Sequence, residues 1–79
     1  MYYVYIIQTE DEPRRYYTGF TENIEHRLKD HNAGRVPHTA KFRPWGYKTY
    51  LAFSDRDAAL AFERYLKTHS GRAFAKKRL

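Results

Sequence analysis

A chain of 79 residues has room for one hydrophobic core, and eight tyrosines, five phenylalanines and one tryptophan supply much of the volume to fill it. The absence of cysteine excludes disulfides and thiolate metal sites, and four scattered histidines do not make a zinc ribbon. The net charge of +6 is uneven: Glu10, Asp11 and Glu12 cluster near the start, while Ala33–Lys48 and Arg64–Leu79 are rich in Lys and Arg and contain no acid, which suits a polyanionic partner.

Residues 2–7 (YYVYII) are aromatic and β-branched and read as a strand. The polar stretch 8–15, with Pro13, is a hairpin loop, and residues 16–20 (YYTGF) are a second, antiparallel strand. Thr21 is the expected N-cap of a first helix that runs to about Asn32, with Ile24 and Leu28 on its buried face and Gly34 placed to end it. Residues 33–46, punctuated by Gly34, Pro37, Pro44 and Gly46, form a loop long enough to be functional. Residues 47–53 (YKTYLAF) read as a third strand. Ser54 and Asp57 resemble a capping box for a second helix over 55–68, terminated by Gly71, and residues 72–79 add a short basic helix. The predicted class is α+β, a small three-stranded antiparallel sheet flanked by helices in the order β-β-α-β-α-α, with residues 1–79 as a single domain. No run of 18 apolar residues exists and the N-terminus lacks a basic leader, so a cytoplasmic location is expected.

Two helical features could carry chemistry. Arg27 and His31 lie at i and i+4, on one face; alone, they describe an exposed basic stripe. On the second helix, Ala59, Phe62 and Leu66 form an apolar stripe, and Glu63 falls on the same ridge. A carboxylate there is costly unless it is paired or bound to a metal, so it either forms an ion pair with Arg27 or a nearby base, or holds a cation.

The strand sequences Tyr3-Val4-Tyr5 and Tyr17-Thr18-Gly19 resemble the paired motifs of the GIY-YIG nuclease superfamily, with Val and Thr in place of the two isoleucines. Arg27 follows Tyr17 by ten residues, His31 follows Arg27 by four, the stretch His31-Asn32-Ala33-Gly34 is typical, and Glu63 lies on the next helix. The resemblance runs from Tyr2 to Leu79 and looks nearest to the small bacterial single-domain group similar to the N-terminal nuclease module of the excision repair C subunit. Two departures stand out: Phe20 occupies the place of a frequent Lys, and no Asn follows Glu63.

The resemblance implies DNA phosphodiester hydrolysis, directed by DNA structure rather than sequence. It makes Glu63 the ligand of Mg²⁺ (or Mn²⁺), Arg27 the donor to phosphate oxygens, Tyr5 or Tyr17 the group that accepts a proton from water or orients it, His31 a relay, and Gly19 the motif glycine. Arg35, Lys41 and Arg43 in the long loop, with His38, Thr39 and Trp45, are expected to line the DNA approach, and Arg72, Lys76 and Lys77 to grip the backbone. All five motif residues are expected on one concave surface. The alternatives are a nucleic-acid-binding module with little turnover alone, served by a separate targeting protein, and an interaction domain built on exposed tyrosines.

Overall fold

A computed structural model describes all residues, Met1–Leu79. Strand β1 (Tyr2–Thr9) is central, with β2 (Tyr16–Thr21) and β3 (Trp45–Phe53) antiparallel on either side in the order β2-β1-β3. Helix α1 (Ile24–Asn32) follows β2, a short 3₁₀ turn (Ala40–Phe42) interrupts the long loop, and α2 (Arg56–Leu66) and α3 (His69–Arg78) complete the chain. This is the α+β arrangement predicted from the sequence.

Alternation along β1 divides the core in two. Val4 and Ile6 face α2 and α3, where they pack with Ala59 and Leu66 and with partly buried Phe20, Phe53, Phe62, Ala75 and Leu79. Tyr5 and Ile7 face α1, where they meet Trp45, Tyr17, Ile24, Leu28, Phe42 and Tyr47. A register shift opposite Ile6 and Ile7 places an extra residue, Lys48, in β3, so that Tyr47 and Tyr50 both lie on the α1 face although they are three residues apart.

The caps differ from expectation by one or two positions. Asn23, not Thr21, caps α1, its side chain accepting from the His26 amide at 3.0 Å; Thr21 instead uses its hydroxyl to accept from Asn23 N–H. Asp55 rather than Ser54 caps α2 by accepting from Ala58 N–H. In both cases the shorter Asx reach to the third residue on is made by the residue next to the helix. The C-terminus of α1 is as expected: Gly34 adopts φ 78°, and its amide and that of Arg35 bond back to the His31 and Asp30 carbonyls in a Schellman closure.

The long loop is far from idle coil. Val36, Thr39 and Trp45 are buried, and Trp45 opens β3, held by Asn32, whose side chain accepts from its amide and donates to its carbonyl. An apolar loop anchor adds core to a domain too small to waste it.

The largest correction concerns Gly71. It does not end α2; Thr68 caps a new helix and Gly71 lies in that helix's first turn, buried. A Cβ at Gly71 would stand 1.8 Å from the Tyr65 carbonyl oxygen, so the glycine is what lets α3 fold tightly back on the end of α2. Helix propensity alone favours Ala over Gly by about 1 kcal/mol. The expected outcome for Gly71→Ala is the opposite sign, a loss of about 1–3 kcal/mol from forced displacement of backbone, read as a lower urea midpoint.

Candidate active site

Tyr5 pairs across the sheet with Gly19, and its ring lies over that glycine: a Cβ there would come within 2.3 Å of the phenolic oxygen. The bare backbone thus allows the phenol to cross the edge strand β2. Arg27 and His31, on the same face of α1, reach its hydroxyl. Arg27 Nε donates to it at 3.1 Å, and His31 Nε2 lies 2.7 Å away.

The hydrogen-bond chain fixes the direction of the protons. Thr39 Oγ1 lies 3.3 Å from the Val36 carbonyl, which can only accept, so the Thr39 hydroxyl donates there. Its oxygen, 2.7 Å from His31 Nδ1, therefore accepts from Nδ1–H. His31 Nε2 is then bare and accepts from the Tyr5 hydroxyl. The order Arg27→Tyr5→His31→Thr39→Val36 satisfies every member, and no buried side-chain polar atom in the chain lacks a partner.

Burial raises the Tyr5 phenol to about 12, against the opposing pull of the Arg27 bond. Burial, seconded by the Arg27 charge, lowers His31 to about 4, so its imidazole is neutral near pH 7. The reading of Arg27 and His31 as an exposed basic stripe is thereby corrected: His31 is fully buried, because it extends the Ile24–Leu28 face by one further turn. Tyr17, also on the α1 face, sets its ring 5.3 Å from the His31 ring and keeps partial exposure.

Glu63 does not join this group by any hydrogen bond or ion pair. Its partner is Lys67 (Oε2 to Nζ, 3.0 Å), not Arg27, because α2 packs on the opposite face of the sheet from α1. The expectation that all five side chains converge on one concave surface is corrected: Tyr5, Tyr17, Arg27 and His31 gather on the α1 face, and Glu63 belongs to the other layer. The two layers share the edge strand β2. Helix α2 runs beside it, with Arg56 over the Phe20 ring at one end and Lys67 in a cleft with Tyr16, Tyr17 and Thr18 at the other, and Glu63 lies one turn before Lys67.

The remaining predicted residues separate. Arg35 pairs with Asp30 at 3.0 Å, and Arg43 donates to the Ala40 and Asn32 carbonyls, so both tie the loop to α1. Lys41 is exposed beside Arg15, Arg43 and the acidic Asp11 and Glu12. Thr39 and Trp45 face the core instead of solvent. Arg72, Lys76 and Lys77 are exposed on α3. Sequence reasoning missed the structural roles of Asn32 and Thr39; the buried His at helical spacing from Ile24 and Leu28 was the available signal for a buried polar partner.

A model of the GIY-YIG catalytic domain matches residues 1–78. The chain belongs to the GIY-YIG family. It is accordingly an enzyme of the nuclease class, a phosphodiester hydrolase. It is 36% identical over 70 residues to a UPF0213 protein of Haloquadratum walsbyi, covering 87% of this chain and 76% of that one. It is 37% identical over 70 residues to a UPF0213 protein of Staphylococcus haemolyticus, covering 87% and 83%. It is 33% identical over 75 residues to a structure-specific endonuclease subunit SLX1 homolog of Giardia intestinalis, covering 90% of this chain but 21% of that protein. No solved structure matches the chain. No helix is long and apolar enough to cross a membrane.

The His31 environment generates a pH-dependent stability. Its folded pKa of about 4 lies below the unfolded 6.5, so the unfolded chain binds the proton first as pH falls. The stabilisation is complete above pH 6.5 and is lost on acidification toward pH 4, at up to about 1.4 kcal/mol per pH unit. Between pH 7 and pH 5 the protein should lose about 1–2 kcal/mol from this group. His31→Gln, with no proton to take up, should show a flatter dependence in paired urea titrations.

Proposed function

We propose that residues 1–79 act as one divalent-metal-dependent DNA endonuclease domain, working in the cytoplasm and choosing its targets by DNA structure rather than sequence. The observation that carries the reading is the Arg27–Tyr5–His31 hydrogen-bond chain, set at the edge strand beside Tyr17 in a chain that the catalytic-domain model matches nearly end to end. The structure-specific character named for the Giardia relative supports structure as the cue.

Each residue has a chemical task. Arg27 spends Nε on Tyr5, which leaves its η nitrogens for the non-bridging oxygens of a phosphate. Asp30, 4.0 Å from Nη1, steadies the guanidinium without capturing it. Tyr5 is a poor base, since burial pushes it up to about 12, and it is fully buried; its task is to hold Arg27 in position. His31 likewise positions, by accepting the Tyr5 proton from beneath. Tyr17 is the partly exposed phenol of the pair and is assigned the attacking water, which it orients and, as the phenolate, relieves of its proton, becoming the neutral phenol.

The donor set fits a hard cation. Glu63 uses only Oε2 toward Lys67, leaving Oε1 for a metal, and Mg²⁺ commonly keeps several waters and takes few protein ligands. Glu63 would be a lone carboxylate ligand, since no group of three or more His, Asp or Glu side chains comes together in the chain. Mg²⁺ (or Mn²⁺) held there would offset charge on the phosphate and on the leaving oxygen. Lys67, which bonds Oε2, keeps further N–H donors for a phosphate oxygen. Arg72, Lys76 and Lys77 hold the DNA backbone. A separate targeting protein is compatible with this small domain and is a second component of the proposal.

The test is cleavage of flapped, branched and duplex DNA by purified protein with Mg²⁺ or Mn²⁺. Glu63→Gln should lose cleavage by at least about 100-fold while it melts like the parent and still binds DNA. Tyr17→Phe should lose about 100-fold in kcat with little change in KM. A Glu63→Gln protein that is destabilised yet cleaves normally per folded molecule would leave Glu63 as only the partner of Lys67.

A further inference from the structure

A second feature lies on the α2/α3 face, on the far side of β2 from Tyr5. It is an open cleft of about 730 Å³ between the edge strand and α3, within the range of sites that hold small organic ligands. Its floor is apolar: Ile6, Leu66 and Ala75. Tyr16 stands at its wall, 58% exposed and without a hydrogen-bond partner for its side chain. Alternation explains the placement, since Tyr16 and Thr18 point to this face while Tyr17 points to the other.

The rim is cationic. Arg72 and Lys76 project from successive turns of α3 and make no ion pair or side-chain hydrogen bond. Lys67 also lines the cleft, though it is held by Glu63, and Lys48, the extra residue of the β3 irregularity, is held by the Leu79 carbonyl at 2.8 Å. No acidic residue lines the cleft. Free cations above an apolar floor with one unemployed aromatic ring match a ligand that is anionic at one end and a flat apolar ring at the other.

A nucleotide has that form. In a duplex the faces of the bases are covered by their neighbours, so a duplex can offer this cleft only its phosphates, and the floor and Tyr16 would stay unused. An unpaired nucleotide offers both parts, and base–aromatic stacking tolerates any base. The cleft also adjoins the cutting site: Lys67, the partner of Glu63 at the end of α2, lines it, and so does Tyr17, although its ring points to the α1 face.

We propose that the cleft between β2 and α3 binds an unpaired nucleotide of single-stranded DNA next to the phosphate to be cut, with the base on Tyr16 and the apolar floor and the backbone on Arg72 and Lys76. The inference rests on the nuclease reading for its link to cutting, and it names the structural cue: a single-stranded segment flanking the cleaved bond. Lys76 and Arg72 serve both strands as charge; Tyr16 serves only the unpaired one.

Fluorescence anisotropy decides it, with labelled oligothymidine and a labelled duplex of equal length, in EDTA so that no cutting occurs. Tyr16→Ser should weaken oligothymidine binding by about 10-fold and duplex binding by less than about two-fold, and Tyr16→Phe should restore it. Lys76→Glu should weaken both. Equal loss on the two DNAs in Tyr16→Ser, or no loss on oligothymidine, overturns the proposal. Because the readout is metal-free binding, a parent protein that binds oligothymidine in this Tyr16-dependent way but cuts nothing would refute the nuclease reading and leave the cleft standing.

Discussion

The placement of one buried hydroxyl governs the arrangement of the α1 face. Tyr5 is wholly enclosed, so its phenolic oxygen must find protein partners or cost on the order of 1–3 kcal/mol. It finds two on α1, Arg27 and His31, and His31 in turn requires Thr39 from the loop. One strand, one helix and one loop are thereby locked at a single point. Gly19 makes the point reachable, because any side chain there would collide with the ring. The same contacts aim Arg27 toward solvent, so the packing requirement and the proposed phosphate contact are satisfied by one geometry.

The sheet has only three strands, and this has consequences for where chemistry can sit. With β1 in the centre and both of its faces covered, residues from the α1 layer and the α2 layer can approach a common ligand only at an edge of the sheet, and β2 is the edge that carries the motif residues. Tyr17 and Gly19 belong to β2, and α2 runs beside it carrying Glu63 and Lys67. A phosphodiester laid across the edge would meet Arg27 from one layer and a cation on Glu63 from the other. Glu63 is paired with its own helix neighbour, Lys67, which keeps a partly buried carboxylate compensated.

Much of the fold was legible along the chain. The aromatic runs around Tyr3 and Tyr17 marked β1 and β2, the Ile24–Leu28 spacing marked α1, and Gly34 marked its end. Errors fell where two local signals competed. Gly71 resembles a helix terminator, yet Thr68 three residues earlier supplies the cap of the next helix, and the steric demand of the α2–α3 turn explains the glycine instead. Prolines and cations give the long loop the signature of a surface segment, while Val36, Thr39 and Trp45 turn inward and Arg35 and Arg43 fasten it to α1.

By itself the sequence determined the element order and the α+β class, because strand alternation, helical spacing and glycine placement are short-range properties written into consecutive residues, and its resemblance to the GIY-YIG motifs singled out Tyr5, Tyr17, Gly19, Arg27, His31 and Glu63. The tertiary structure alone decided which of these touch. That His31 is buried and neutral, that Tyr5 sits beneath Arg27 as a support, that Glu63 comes from the opposite layer and pairs with Lys67, and that Tyr16 and α3 enclose a basic cleft all depend on which faces of separate elements are brought together. Periodicity tells which side of its own helix or strand a residue occupies; only packing tells what stands across from it.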